Sequence, residues 1–84
     1  MTFDLIEKYV EATDRYNKPV NVHFRNRSTV TGLFIRARDY DDMKKKNFWR
    51  IVPQSRLQLW QSSNDPALSR LFHGAEFSRL TDAG

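Results

Sequence analysis

The chain has 84 residues, fourteen Lys and Arg against ten Asp and Glu, 39% apolar residues and no cysteine. A chain this short forms one domain, residues 1–84, and buries only about 60–65% of the surface that its unfolded form exposes, so self-association is a natural source of further burial. Disulfide and thiolate chemistry is absent, the longest apolar run is Leu33-Phe34-Ile35, and nothing reads as a membrane span or an export leader, which makes the cytoplasm the expected compartment.

The first expected element is a helix from Thr2 to Tyr16. Phe3, Ile6, Val10 and Thr13 recur at helical spacing beside a second row of Leu5, Tyr9, Ala12 and Tyr16. Thr2 suits the N-cap, Asp4 and Glu7 suit the positive end of the helix dipole, and Asn17-Lys18-Pro19 suits a stop.

After Pro19 the period changes to two. Val20, Val22 and Phe24 alternate with Asn21, His23 and Arg25, which predicts a half-buried strand, followed by a turn at Arg25-Asn26-Arg27-Ser28. Thr29 to Arg38 predicts a second strand with apolar groups on both faces and Gly32 at a bend or a close backbone approach. The segment Asp39 to Lys46 is too charged to continue a strand and reads as a loop before Phe48 to Val52. Pro53 interrupts that strand, and Leu57, Leu59 and Trp60 resume it, as a bent continuation or as a separate edge strand.

Ser62 to Pro66 is a turn cluster. The residues after it, 66–72, fit a short helix behind Asp65-Pro66 or a strand running into His73-Gly74, with Phe77 and Leu80 in a last strand. The expected fold is mainly β with an N-terminal helix, and a bent strand that serves two faces is what a small closed barrel needs.

Charge is divided unevenly along this plan. Residues 1–17 carry −2 and residues 57–84 carry −1, whereas residues 18–56 hold ten basic and three acidic side chains. Such a concentration is the electrostatic footprint of a partner rich in phosphates, although a merely solvated surface has the same composition. Catalysis and metals have little support. His23 and His73 lack neighbours at ligand spacing, the carboxylates of Asp39, Asp41 and Asp42 are offset by adjacent lysines, and no nucleophile elbow or phosphate loop occurs. No enzyme activity and no cofactor are therefore expected.

Two short signatures remain. The first runs from Val30-Thr31-Gly32-Leu33-Phe34-Ile35 through Asp39 and Met43 to Asn47 and Phe48; the second is Leu71-Phe72-His73-Gly74-Ala75-Glu76-Phe77. With a helix ahead of them, this order resembles the Sm-like proteins, the group that includes the Sm, LSm and Hfq families. In this chain Asp39 falls one residue late, Lys44-Lys45-Lys46 separates the family's adjacent Met and Asn, and His73 stands where arginine is usual.

The resemblance implies a small, five-stranded, strongly bent antiparallel barrel over residues 19–81, and a homo-oligomeric ring of five to seven subunits, closed by pairing the 68–73 segment of one copy with the 76–81 segment of the next. It implies single-stranded RNA held at the ring pore by a non-catalytic chaperone or stabiliser. Asp39, Tyr40, Lys44, Lys45, Lys46, Asn47, His73 and Gly74 would then form the RNA-binding site. Tyr40 would stack on a base, Asn47 would read a base edge, the lysines would neutralise phosphates, Gly74 would allow close approach, and His73 would stack or donate. Each has a plainer use: Tyr40 can pack on the hairpin, Asn47 can bond backbone, and the lysines can keep a loop soluble. The alternative function is a small-barrel adaptor that docks on a protein or on polyanions in general.

Overall fold

The computed structural model describes residues 1–12 and 17–83. Helix α1 spans Phe3–Val10 and buries Ile6 and Val10, one turn apart on one face. The apolar face is narrower than the periodicity predicts, since Phe3 and Leu5 are exposed. Thr2 occupies the N-cap without a capping bond, and Glu11 leaves helical geometry at φ −90°, ψ 2°. The helix ends at Val10; the expected positions Thr13 and Tyr16 lie outside the described residues.

Strand β1 is Val20–Phe24, with Val20, Val22 and Phe24 buried as the alternation requires. Strand β2, Val30–Phe34, is shorter than the expected Thr29 to Arg38, although the Ile35 amide still donates to the Arg50 carbonyl at 3.1 Å. Gly32 serves a close approach. A Cβ there would lie 2.5 Å from the Val52 carbonyl oxygen and 2.7 Å from Ile51 Cγ2, both on strand β3, Phe48–Pro53.

Two expectations are corrected. The segment read as a loop forms helix α2, Tyr40–Lys45. Asp41 and Asp42 in its first turn and Lys44 and Lys45 in its last each oppose the nearer end of the helix dipole, and Asn47 ends it in the left-handed conformation at φ 64°. The segment expected to resume a strand at Leu57 instead forms helix α3, Leu57–Ser63, ended by Asn64 at φ 53°. Its apolar spacing is helical after all: Leu57 and Trp60, three apart, cover Leu33, Ile35 and Val52, while Leu59 between them stays exposed.

The ambiguous stretch divides between both readings. Pro66–Leu68 is a single 3-10 turn whose Asp65 carboxylate accepts the Ala67 amide at 3.0 Å, and strand β4, Arg70–His73, follows. A second 3-10 turn, Gly74–Glu76, leads into strand β5, Phe77–Asp82.

The strands form one antiparallel sheet in the order β4-β3-β2-β1-β5. No ladder among the described residues joins β4 to β5, so the expected closed barrel is corrected to an open sheet. The sheet nonetheless curls. Strands β4 and β1 would lie about 14 Å apart if it were flat, yet the rings of Phe72 and Phe24 meet at 5.5 Å, and Phe24 meets Phe77 edge-on at 5.3 Å. This curl encloses the main core, in which Ile6, Val22, Trp49, Ile51 and Phe77 are 0–2% exposed.

Candidate nucleic-acid interface

The polar segment that ends in Asn47 and the turn at His73-Gly74 come together at one end of the sheet. Asn47 is the joint. Its carbonyl accepts the Gly74 amide at 2.7 Å, its side-chain nitrogen donates to the Met1 carbonyl at 3.0 Å, and its side-chain oxygen accepts the Trp49 indole N–H at 2.9 Å. The left-handed backbone that ends α2 directs the residue into this position. Its edge-reading groups are thereby committed inside the fold.

Gly74 is buried against the same group. A Cβ at that position would lie 2.3 Å from Asn47 Oδ1 and 2.5 Å from Ile6 Cδ1, so its lack of a side chain serves internal packing. His73 pairs across the ladder with Phe48 and packs edge-on against that ring at 4.7 Å. Its Nδ1 accepts the Ala75 amide at 3.2 Å, which makes it the cap of the following turn.

Tyr40 and Lys44 face α1. The Tyr40 hydroxyl donates to Glu11 Oε2 at 2.6 Å, and its ring meets Trp49 edge-on at 6.1 Å. Lys44 Nζ lies 2.6 Å from Glu7 and 3.1 Å from Glu11, over the Tyr40 ring, with its side chain only 18% exposed. Burial and the Glu11 carboxylate push the Tyr40 hydroxyl well above the usual phenol range. The Tyr40 hydroxyl and Lys44 hold Glu11 below the usual carboxylate range, and Glu7 and Glu11 raise Lys44.

Asp39 is clamped by Arg50. The guanidinium donates from Nε at 3.0 Å and from Nη2 at 2.6 Å, one bond to each carboxylate oxygen, and holds Asp39 below its ordinary range. Beside the pair opens a shallow depression of ≈ 410 Å³ lined by Ala37, Arg38, Asp39, Arg50, Pro66 and Ala67. Lys45 and Lys46, by contrast, are exposed at the end of α2.

The eight expected site residues are thus brought to neighbouring positions, but only Lys45 and Lys46 among them face solvent without an internal task. The sequence reading missed the groups that hold the others: Arg50, Glu7, Glu11 and Met1. An arginine inside the apolar strand Phe48 to Val52 was a signal for a buried-side partner, whereas nothing in α1 marked Glu7 and Glu11 as partners of a segment some thirty residues away. Among the described residues no cluster of three or more His, Cys, Asp or Glu could hold a metal ion, and no helix is long and apolar enough to cross a membrane.

No family model, curated protein or solved structure matches this chain.

Proposed function

We propose that this protein is an Sm-like, ring-forming protein that binds single-stranded RNA at the ring pore and acts as a non-catalytic chaperone or stabiliser. The observation that carries the reading is the Asn47–Gly74 bond, which joins the two signature segments at one end of a curled five-stranded sheet. Assembly has support in the strand order: β4 and β5, the strands that Sm-like rings pair between subunits, lie at the two edges of the sheet with backbone open to a neighbour. A ring would repeat the lysines of α2 once per subunit, so that weak phosphate contacts add up through multivalency.

The geometry redistributes the roles within the site. Asn47, Gly74, Tyr40, Lys44 and Asp39 shape the surface from within, and Lys45 and Lys46 meet the phosphates. The test pairs light scattering with binding of fluorescent oligouridine and oligoadenine. A mass of five to seven times the 10.0 kDa chain, together with salt-dependent binding that weakens in K45Q/K46Q, supports the reading. A monomer that binds neither oligonucleotide rejects it.

A second reading is a small β-domain that docks polyanions without distinguishing bases. The internal commitment of Tyr40 and Asn47 favours it, because the two side chains best suited to stacking and edge reading are already bonded to Glu11, Met1 and Trp49. Heparin that displaces the oligonucleotide as well as unlabelled RNA does would select this reading over the first.

A further inference from the structure

The turn between β1 and β2 carries Arg25 and Arg27, and β4 opens with Arg70; all three are exposed. The Arg27 guanidinium lies 5.0 Å from the centroid of Phe24 and 5.5 Å from that of Phe72, and the Arg70 guanidinium lies 6.0 Å from the same Phe72 ring. Two cations therefore share one ring, at the place where the curl of the sheet brings β4 towards β1. Phe24 and Phe72 are 9% and 6% exposed, so they carry the guanidinium groups but are closed to an incoming base. Among the described residues no carboxylate forms an ion pair with Arg25, Arg27 or Arg70.

Such an arrangement contributes little to folding. Cation–ring contacts at exposed positions are weak, and like charges left without counterions repel one another. It suits an anion. A guanidinium is a rigid donor fork that matches the paired oxygens of a phosphate, and two of them gathered at one ring concentrate such forks at one place on the surface.

We propose that Arg27 and Arg70, with Arg25 beside them, form a second phosphate-binding rim, separate from Lys45 and Lys46, that tracks the backbone of a single-stranded nucleic acid without reading its bases. This rests on the RNA-binding reading above and extends the path of the strand across the β1–β2 turn. Because the rim contacts phosphates alone, its contribution is the same for oligouridine and oligoadenine.

The experiment measures affinity of the full chain for both labelled oligonucleotides at several salt concentrations. It compares the unaltered protein, R27Q/R70Q, R27K/R70K and K45Q/K46Q, with thermal unfolding as a check that each variant is folded. Each lost phosphate contact lowers the salt slope of single-strand binding by about 0.7, so R27Q/R70Q is expected to lower it by about 1.4, equally for both oligonucleotides, while R27K/R70K keeps the slope. A folded R27Q/R70Q with an unchanged slope, while K45Q/K46Q lowers it, overturns the rim alone. Absence of RNA binding by the unaltered protein overturns the rim together with the reading it rests on. Displacement by poly-glutamate as effective as by RNA overturns it in favour of an acidic protein partner.

Discussion

Gly74 sits directly against Asn47: the closest atom to a would-be side chain at residue 74 is Asn47 Oδ1, at 2.3 Å, and that same oxygen accepts the indole proton of Trp49. Gly74→Ala must therefore push apart a bonded pair next to an indole that is only 2% exposed. The expected cost is about 1–3 kcal/mol. Asn47→Ala is expected to cost about 2–4 kcal/mol, because it leaves the buried Trp49 N–H without an acceptor and puts a Cβ residue at φ 64° with no side-chain compensation. Asn47→Gly tolerates the backbone and should be less damaging than Asn47→Ala by about 1 kcal/mol. Urea denaturation of the three variants checks the order.

The Asp39–Arg50 clamp gives the protein an acid-side sensitivity. Arg50 lowers the folded-state pKa of Asp39, so the stabilisation is present above the unfolded value of about 3.9 and is lost as pH falls through the lower folded value. Asp39→Asn should lower the urea midpoint at pH 7 and make progressively less difference as pH falls below about 3.9 and on through the lower folded value, where the parent carboxylate also loses its charge. A constant difference across that range would contradict the role given to the pair.

Tyr40 acts in the opposite direction. Its raised folded-state pKa means that the folded hydroxyl keeps its proton where the unfolded one, near 10, releases it. The stability this contributes is present below about pH 10 and declines as pH rises beyond that point. Tyr40→Phe is expected to cost about 1 kcal/mol at neutral pH through loss of the bond to Glu11. It should also flatten the decline in urea midpoint between about pH 9 and 11, a window in which Lys44 contributes in parallel.

Trp60 is the lid on the outer face of the sheet. With Leu57 it covers Leu33, Ile35 and Val52, of which Val52 is fully buried. Trp60→Ala should destabilise by about 2–4 kcal/mol, towards the low end for large-to-small changes because the residue is itself partly exposed. Leu59→Ala, one position earlier on the solvent side, should fall within about 0.5 kcal/mol of the parent. Thermal unfolding of the two variants reads this contrast directly.

Strand β1 was legible because its core residues alternate in steps of two, and Val20, Val22 and Phe24 are buried as that period demands. The two later helices were harder, for different reasons. In α3 the pair Leu57 and Leu59 imitates a strand, and only the outcome that Trp60 rather than Leu59 joins Leu57 distinguishes the helix. In α2 the Asp cluster argued against a strand, but its position ahead of a lysine run and an asparagine was itself a helix pattern, with acid at the start, base at the end and a left-handed stop. The segments of the candidate site could be located from their motifs. Which side chains would be spent inside the fold could not, because Glu11 to Tyr40 and Asn47 to Met1 are long-range partnerships that no local spacing encodes.

The strand order also governs how the chain finds its structure. Among the described residues three of the four ladders join consecutive strands, and each can zip as soon as its own connection closes. The fourth joins β1 to β5, the first strand to the last, and must wait for an encounter between the distant ends of the chain. Loop closure of that length carries a larger entropic cost than the closure of the other connections, so the pairing of Val22 with Leu80 is the ladder expected to form last. Until it forms, β1 presents a bare flank to the solvent, and that interval is when a nascent copy is most exposed to aggregation with its own kind.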